Sequence, residues 1–230
     1  MKAYYDLSAR PATFDFITFM VTAMSLGATE IVFDVSKGFQ KKKFSEDIAR
    51  QMYEMVLQPA CELWGIRFSE GTEGDFSPGH HVTDLVEAWE KTKSLPIPAF
   101  EPRAGHVYTI TLRDSIRNRH RNSNRAAWER FASEVNAHII DDAYIAPISM
   151  FERFRIYNGA MMNYFTNNGP SVLCMFTRLH YVSFNTKASF SSWPHPIRPG
   201  FQFPWANQHQ RIVWNDDTYE NIRAAHESMR

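Results

Sequence analysis

Thr166-Asn167-Asn168-Gly169-Pro170-Ser171 lies between two apolar segments near the start of the last third of the chain. The preceding segment, residues 150–165, has helical periodicity, and Pro170 suits the first turn of a following helix because that position needs no backbone donor. Asn and Gly tolerate positive φ, so this stretch predicts a turn whose N–H groups point outward and favour an anion. An ordinary tight turn without a ligand is the simpler interpretation.

The composition is that of a globular protein with a substantial core. The chain has 230 residues, 44% of them hydrophobic and 14% aromatic, enough for one large or two small domains. Lys and Arg balance Asp and Glu at 25 each, so net charge favours neither nucleic acid nor an anionic membrane. The two cysteines, Cys61 and Cys174, are too few for a disulfide framework and fit a reducing cytoplasm. Neither a membrane span nor a secretory leader is expected.

Strand-like and helix-like segments alternate along the whole chain. The predicted strands are residues 3–7, 29–35, 66–69, 106–112, 137–141 and 181–184. The predicted helices are residues 13–25, 46–64, 83–92, 124–135, 150–165 and 217–228. Such alternation predicts an α/β fold made of two Rossmann-like halves, each with a parallel sheet flanked by helices.

A proline-punctuated stretch near the middle of the chain suggests a domain boundary. We expect an N-terminal α/β half at residues 1–94, a linker at residues 95–104 and a C-terminal α/β half at residues 105–230. Ligands of parallel sheets collect at the carboxyl ends of the strands, where the loops at residues 114–123 and 166–170 should both lie.

The loop after the strand at residues 106–112 is rich in cations. Residues 113–125 contain five arginines and one histidine just before a predicted helix, with Asn122 or Ser123 as its expected N-cap. Arginine offers planar, permanently charged donors that suit phosphate. A solvated or acid-paired face is the simpler interpretation. Nucleic-acid binding is a weaker one, because the cations are confined to one loop of a neutral protein.

Several separated motifs carry a resemblance to a known family. They are Tyr108-Thr-Ile-Thr-Leu-Arg113-Asp114, Arg121-Asn122-Ser123-Asn124 with Trp128, Tyr164-Phe-Thr-Asn167-Asn168-Gly169-Pro170, and Gln202-Phe203-Pro204-Trp205-Ala206 with Gln210 and Trp214-Asn-Asp-Asp217. Together they resemble bacterial glycosyltransferase-like proteins of the GT-B type, mainly over residues 106–217. The best matches in the first half are Tyr5-Asp6-Leu7 and residues 11–16.

The resemblance implies a compact GT-B-like protein that transfers a sugar from a nucleotide-sugar donor to an acceptor that the sequence does not identify. The donor is a co-substrate, and neither a cofactor nor a metal is expected. In this family the diphosphate is cradled by a small-residue loop and a helix start, and nearby arginines offset its charge. The expected donor-site residues are Arg113, Arg121, Asn122, Ser123, Asn124, Asn167, Asn168, Gly169, Pro170, Ser171, Trp205 and Gln210.

The sequence is also compatible with two other functions. One is a nucleotide- or phosphosugar-binding protein without transfer activity, and the other is a nucleic-acid-associated protein. The sequence is compatible with a homodimer as well. The C-terminal tryptophans, Trp205 among them, suit stacking on a base or sugar ring, although such residues more often pin a tail across the core.

A transferase also needs a general base to activate the acceptor hydroxyl, and the first half should supply it. Our choice is Asp15, near the start of the first predicted helix. The simpler interpretation is that its carboxylate stabilises the dipole of that helix. The other candidates are Glu70, Glu73, His80 and His81. The adjacent histidines lack partners at ligand-like spacing, which disfavours a metal site.

A pair of carboxylates, Asp141 and Asp142, follows the strand predicted at residues 137–141. Acidic residues at a strand end suit a ribose hydroxyl and, less well, a divalent ion. The simpler interpretation is that they cap the following turn.

Overall fold

The computed structural model describes residues 1–40, 44–100, 105–115, 119–141, 149–186 and 197–229. The chain divides into two compact units. The first unit is Met1–Phe100 with Ser149–Phe151, and the second is Glu101–Ile148 with Glu152–Arg230. The division after Phe100 falls in the proline-punctuated stretch.

The first unit contains a three-stranded parallel sheet in the order β1-β2-β3. Its strands are β1 (Lys2–Asp6), β2 (Glu30–Asp34) and β3 (Arg67–Glu70). Its helices are α1 (Asp15–Ser25), α2 (Glu46–Met52), α3 (Gln58–Trp64) and α4 (Val82–Thr92). A π-helical turn, Tyr53–Leu57, joins α2 to α3, so residues 46–64 form the continuous helix that the sequence predicts.

Local signals explain where that long helix begins and ends. The Ser45 side chain accepts a hydrogen bond from the Ile48 N–H at 3.4 Å, which satisfies one of the free donors of the first turn. Gly65 follows the last helical residue with a φ of 67°, a left-handed conformation in which a side chain would be strained. The core beneath it includes Tyr5 and Phe33, both with no exposed surface.

Asp34, at the carboxyl end of β2, is 1% exposed and has an internal partner on each carboxylate oxygen. Its Oδ1 accepts from the Ser36 N–H at 2.9 Å and its Oδ2 accepts from the Tyr4 hydroxyl at 2.5 Å. Hydrogen bonds from Ser36 and Tyr4 lower the pKa of Asp34, and the same bond to Asp34 raises the pKa of Tyr4 to about 12.

The lowered pKa predicts a pH-dependent effect of Asp34→Asn. A carboxyl group whose pKa is lower in the folded state contributes stability above its unfolded pKa and loses it as pH falls. We expect the variant to lose about 1–2 kcal/mol of unfolding free energy at pH 7. The difference from the wild type should narrow below about pH 4. Urea denaturation of both proteins at several pH values measures this difference in unfolding free energy. Glu73→Gln, which removes an exposed carboxylate, is the charge-matched control, and a Glu73 effect of equal size would contradict the prediction.

The second unit contains a five-stranded sheet in the order β5-β4-β6-β7-β8, and every pair of neighbouring strands is parallel. The strands are β4 (Val107–Leu112), β5 (His138–Asp141), β6 (Ala160–Thr166), β7 (Tyr181–Phe184) and β8 (Gln210–Val213). The helices are α5 (Arg125–Val135), α6 (Met150–Asn158, whose first two residues belong to the first unit), α7 (Val172–Met175) and α8 (Tyr219–Glu227). This confirms the expectation of parallel α/β sheets flanked by helices.

Helices cover both faces of this sheet. On one face, α5 and α8 bury Trp128, Phe131 and Ile222 against side chains of the central strands. On the other face, the Tyr157 hydroxyl of α6 lies 2.8 Å from the Thr111 hydroxyl of β4. Residues that alternate along a strand therefore meet different helix layers, which makes the central strands apolar over most of their length.

The prediction of a helix over residues 150–165 is wrong in its second half. The helix ends at Asn158, and after Gly159 the chain continues as β6. Since β6 lies in the middle of the sheet, residues 162–166 are buried whichever face they point to, and they show no strand-like alternation. The turn at Asn167 therefore follows a strand and not a helix. The sequence also gave no prediction of β8.

None of the helices in the described residues is long and apolar enough to cross a bilayer.

Candidate functional site

The strand order of the second unit creates a switch point between β4 and β6. The chain leaves β4 toward β5 on one side of the sheet, and it leaves β6 toward β7 on the other. The two connections diverge at the carboxyl ends of these two strands, which is the position where ligands of open parallel sheets bind. The residues that follow the strands here are Arg113 and Asn167, which belong to the two loops expected to bind an anion.

Arg113 joins the two loops directly. Its Nη1 donates to the backbone oxygen of Asn167 at 3.4 Å, and its backbone N–H donates to the Ser123 hydroxyl at 2.8 Å. The side chain is half-buried. Within the described ranges Arg113 forms no ion pair with a carboxylate, and its Nε is buried without a hydrogen-bond partner. The arginine therefore keeps donors and a charge that the described chain does not use.

A chain of hydroxyl groups ties both loops to one buried carboxylate. Ser123 donates to the Thr166 hydroxyl at 3.0 Å, and Thr166 donates to Asp217 Oδ2 at 3.0 Å. Asp217 is 5% exposed, and the same oxygen also accepts from the Asn124 N–H at 2.8 Å and from the Trp128 indole at 2.7 Å. This network fixes the start of α5 and the end of β6 relative to each other. Thr166 belongs to the stretch predicted to favour an anion and Asp217 to a motif of the resemblance, but the hydroxyl network that joins them was not predicted.

Asn122 and Asn124 shape the arginine-rich loop. The Asn122 Oδ1 accepts from the Ser115 N–H at 2.8 Å, and its amide donates to Asp114 at 3.1 Å, which closes the loop on itself. Asn124 caps α5, because its side chain accepts from the Ala127 N–H at 3.4 Å. The expectation that Asn122 or Ser123 caps this helix is wrong, since both side chains already bond within the site.

The loop after β6 turns without positive φ. Asn168 is extended, with φ of −140°, and its Oδ1 accepts from the Ser171 N–H at 3.0 Å. Neither Asn167 nor Gly169 has a positive φ, which corrects the prediction of a left-handed turn. Pro170 does lie in the first turn, as expected, but the helical segment is short: a 3₁₀ turn, Gly169–Ser171, followed by the four residues of α7.

The polar side chains of this second loop, residues 166–171, differ in whether their atoms have hydrogen-bond partners. Ser171 is fully buried and donates to the Asn168 backbone oxygen at 2.6 Å, so its hydroxyl serves the turn. Asn168 is 5% exposed, and its amide nitrogen has no hydrogen-bond partner among the described residues. Asn168 thus directly follows Asn167, the residue whose backbone oxygen Arg113 contacts.

Two expected donor-site residues are bound by backbone oxygens that follow the second loop in the chain. Gln210 is the first residue of β8, at the amino edge of the sheet, where its amide donates to Thr177 O at 2.8 Å and Leu179 O at 2.9 Å. The Trp205 indole donates to Met175 O at 2.9 Å, at the end of α7. Gln210 is therefore held at the amino edge, away from the switch point, and the indole N–H of Trp205 is used by the short helix that follows the second loop.

Arg121 is half-buried in a 3₁₀ turn, Arg119–Arg121, within the arginine-rich loop. Residues 116–118 of the same loop lie outside the described residues, and so does Asp142. Asp141 pairs with Arg125, whose guanidinium lies 2.6 Å from the carboxylate. Asp141 therefore forms a surface ion pair, which explains its position without a bound ligand.

The first unit contains the expected general bases. Asp15 is the first residue of α1 and accepts from the Thr13 hydroxyl at 3.0 Å. The rings of His80 and His81 lie 4.5 Å apart. Burial lowers the pKa of His80, and the neighbouring His81 lowers it further. Asp15 thus occupies the helix-start position that the sequence predicts, and its role in catalysis stays a prediction.

The other candidates of the first unit are exposed. Glu70 accepts from the Tyr53 hydroxyl at 3.1 Å, and Glu73 lies in the loop that follows β3. Within the described residues there is no group of three His, Cys, Asp or Glu side chains that could hold a metal ion.

Comparison with known proteins finds no matching family model, no matching curated protein and no matching solved structure. The resemblance to GT-B glycosyltransferases therefore stays a prediction.

Proposed function

We propose that the protein is a glycosyltransferase-like protein that binds a nucleotide-sugar donor at the carboxyl edge of the five-stranded sheet. The observation that supports this most is the contact between Arg113 and Asn167, which joins two anion-suited loops at a switch point. Nucleotides are common ligands of such switch points. The GT-B-like assembly of two Rossmann-like units is part of the proposal.

The diphosphate is the part of the donor that these residues suit. Arg113 supplies a permanent positive charge and a planar set of donors, which match the oxygens of a phosphate. Arg121 adds a second positive charge from the same loop. Because both side chains are cations, they can stabilise the negative charge of the departing diphosphate without a metal ion.

Transfer requires one bond to form and one to break. The acceptor hydroxyl oxygen attacks the anomeric carbon, and the bond between that carbon and the diphosphate oxygen breaks. The nucleoside diphosphate leaves with the electron pair, while the hydroxyl proton passes to a base. Asp15 in the first unit is our candidate for that base, and the acceptor is a hydroxyl compound that the residues do not identify.

A thermal-shift panel tests the proposed donor. ADP, GDP, UDP and CDP, together with sugar conjugates of each, should give a selective rise in melting temperature for one base. A ligand present at 100 times its dissociation constant stabilises the folded state by about 2.7 kcal/mol, enough for a clear shift. Inorganic phosphate at the same concentration is the control for a general ionic effect.

An activity assay with the donor and a binding assay with single-stranded DNA and RNA, added to this panel, separate the alternatives. Binding without donor hydrolysis or transfer would indicate a nucleotide-binding protein that lacks the transfer activity. Steeply salt-dependent binding to single-stranded DNA or RNA, with no response to nucleotides, would indicate the nucleic-acid function instead. No shift with any nucleotide contradicts the proposal.

A further inference from the structure

The carboxyl end of β7 carries buried polar side chains that lack hydrogen-bond partners among the described residues. Asn185 has no exposed surface, and both its amide oxygen and its amide nitrogen have no hydrogen-bond partner in the described chain. Ser183, two residues earlier and on the same face of the sheet, is also fully buried, and its hydroxyl has no partner in the part of the chain that the structure describes. Buried polar groups are paired in most native structures, so such a cluster needs an explanation.

The same sheet satisfies its other buried amides. Asn163, on the neighbouring β6 and 1% exposed, accepts from Thr109 at 2.6 Å and donates to the backbone oxygens of Tyr157 at 3.1 Å and His180 at 3.0 Å. Gln210 on β8 likewise has backbone partners, as described above. The amides of Asn163 and Gln210 are therefore paired, whereas the amide of Asn185 at the carboxyl edge is not paired within the described ranges.

The register places Asn185 beside the proposed site. Thr166 pairs with Phe184 across β6 and β7, and the Asn167 N–H donates to Phe184 O at 3.0 Å. The next residues along the two strands, Asn167 and Asn185, are therefore neighbours. Arg113 contacts Asn167 from the other side, so the three residues form one row across β4, β6 and β7.

We propose that Asn185 determines specificity at this site by hydrogen bonding a hydroxyl group of the ligand. The inference rests on the proposed function. An amide both donates and accepts, and a sugar or ribose hydroxyl does the same, whereas a fully ionised phosphate oxygen only accepts. Arg113 therefore meets the diphosphate, and Asn185 meets the polyhydroxyl part of the same molecule.

Asn185→Leu tests the inference, because leucine has nearly the same shape and no polar atoms. Replacing an unpaired buried amide with an apolar group of the same shape is neutral or stabilising. We expect the urea midpoint of the free protein to stay unchanged or rise. The affinity for the nucleoside diphosphate that the wild type prefers should fall about tenfold by calorimetry. The affinity for inorganic pyrophosphate should stay within twofold.

Asn163→Leu is the matched control, since it removes a buried amide whose partners are all in place. Its urea midpoint should fall. A comparable fall for Asn185→Leu would show that the Asn185 amide has a structural partner, such as a bound water, and would overturn the inference. So would an unchanged diphosphate affinity, or an equal loss for pyrophosphate. If the wild type itself binds none of the diphosphates, the proposed function fails first, and the inference fails with it.

Discussion

Replacing Arg113 with alanine should weaken binding of the preferred nucleoside diphosphate by about 30-fold, because hydrogen bonds to charged groups contribute about 1.5–3 kcal/mol each. The free protein should lose little stability, since the one hydrogen bond that the guanidinium makes within the described residues spans 3.4 Å. Arg113→Lys should show an intermediate loss, because lysine keeps the charge but not the planar fork of donors. Isothermal titration calorimetry measures the affinity of the wild type and the two variants for the nucleoside diphosphate.

Arg155→Ala is the matched control for this experiment. Arg155 is exposed on α6 and lines a shallow cavity of about 340 Å³ with Val107 and Gly159, at the amino ends of β4 and β6. Its removal changes the net charge by the same amount at the opposite edge of the sheet. Equal losses for both variants would indicate only general attraction of anions, and an Arg113 variant that binds like the wild type would place the site elsewhere.

Much of the fold could be predicted because its signals are local. Ser45 and Gly65 mark the ends of the long helix in the first unit, and the strand at residues 181–184 is correct at both ends. The error at residues 160–166 has a physical cause, since a strand buried on both faces is a continuous apolar run, like part of a buried helix. The four-residue β8 has Ile212 and Val213 as its only apolar residues, too few for a pattern.

The site was predictable only in its outline. Loops that follow parallel strands lie at the carboxyl edge of the sheet, which predicts that the loops at Arg113 and Asn167 share one edge. In the structure these two loops are in contact. The supporting bonds join residues far apart in the chain, as Thr166 and Asp217 do, and no periodicity links them. Asn185 was missed for a related reason, because its lack of partners is a property of packing that the sequence does not contain.

The buried carboxylate of Asp217 gives the largest expected effect on stability. Asp217→Ala leaves three donors without their acceptor: the Asn124 N–H, the Trp128 indole and the Thr166 hydroxyl. Each buried donor left unpaired costs about 1–3 kcal/mol, and the hydroxyl can rotate toward another acceptor, so we expect a total loss of about 3–4 kcal/mol. Urea denaturation should show a lower midpoint with an unchanged slope, which identifies a loss of stability and not of cooperativity.

Two further variants separate the network from a general effect of charge. Asp217→Asn keeps an oxygen that accepts hydrogen bonds, so it should lose less stability than the alanine variant. Glu220→Ala removes an exposed carboxylate from the first turn of α8, and a helix-end charge contributes only about 0.3–1 kcal/mol. If Asp217→Ala loses no more than Glu220→Ala, the hydroxyl chain does not hold the two loops. If Asp217→Ala loses the expected stability, the network does hold the loops. The folded Asp217→Asn protein should then bind the nucleoside diphosphate more weakly than the wild type, because Ser123 and Thr166 fix the loops that carry Arg113 and Asn167.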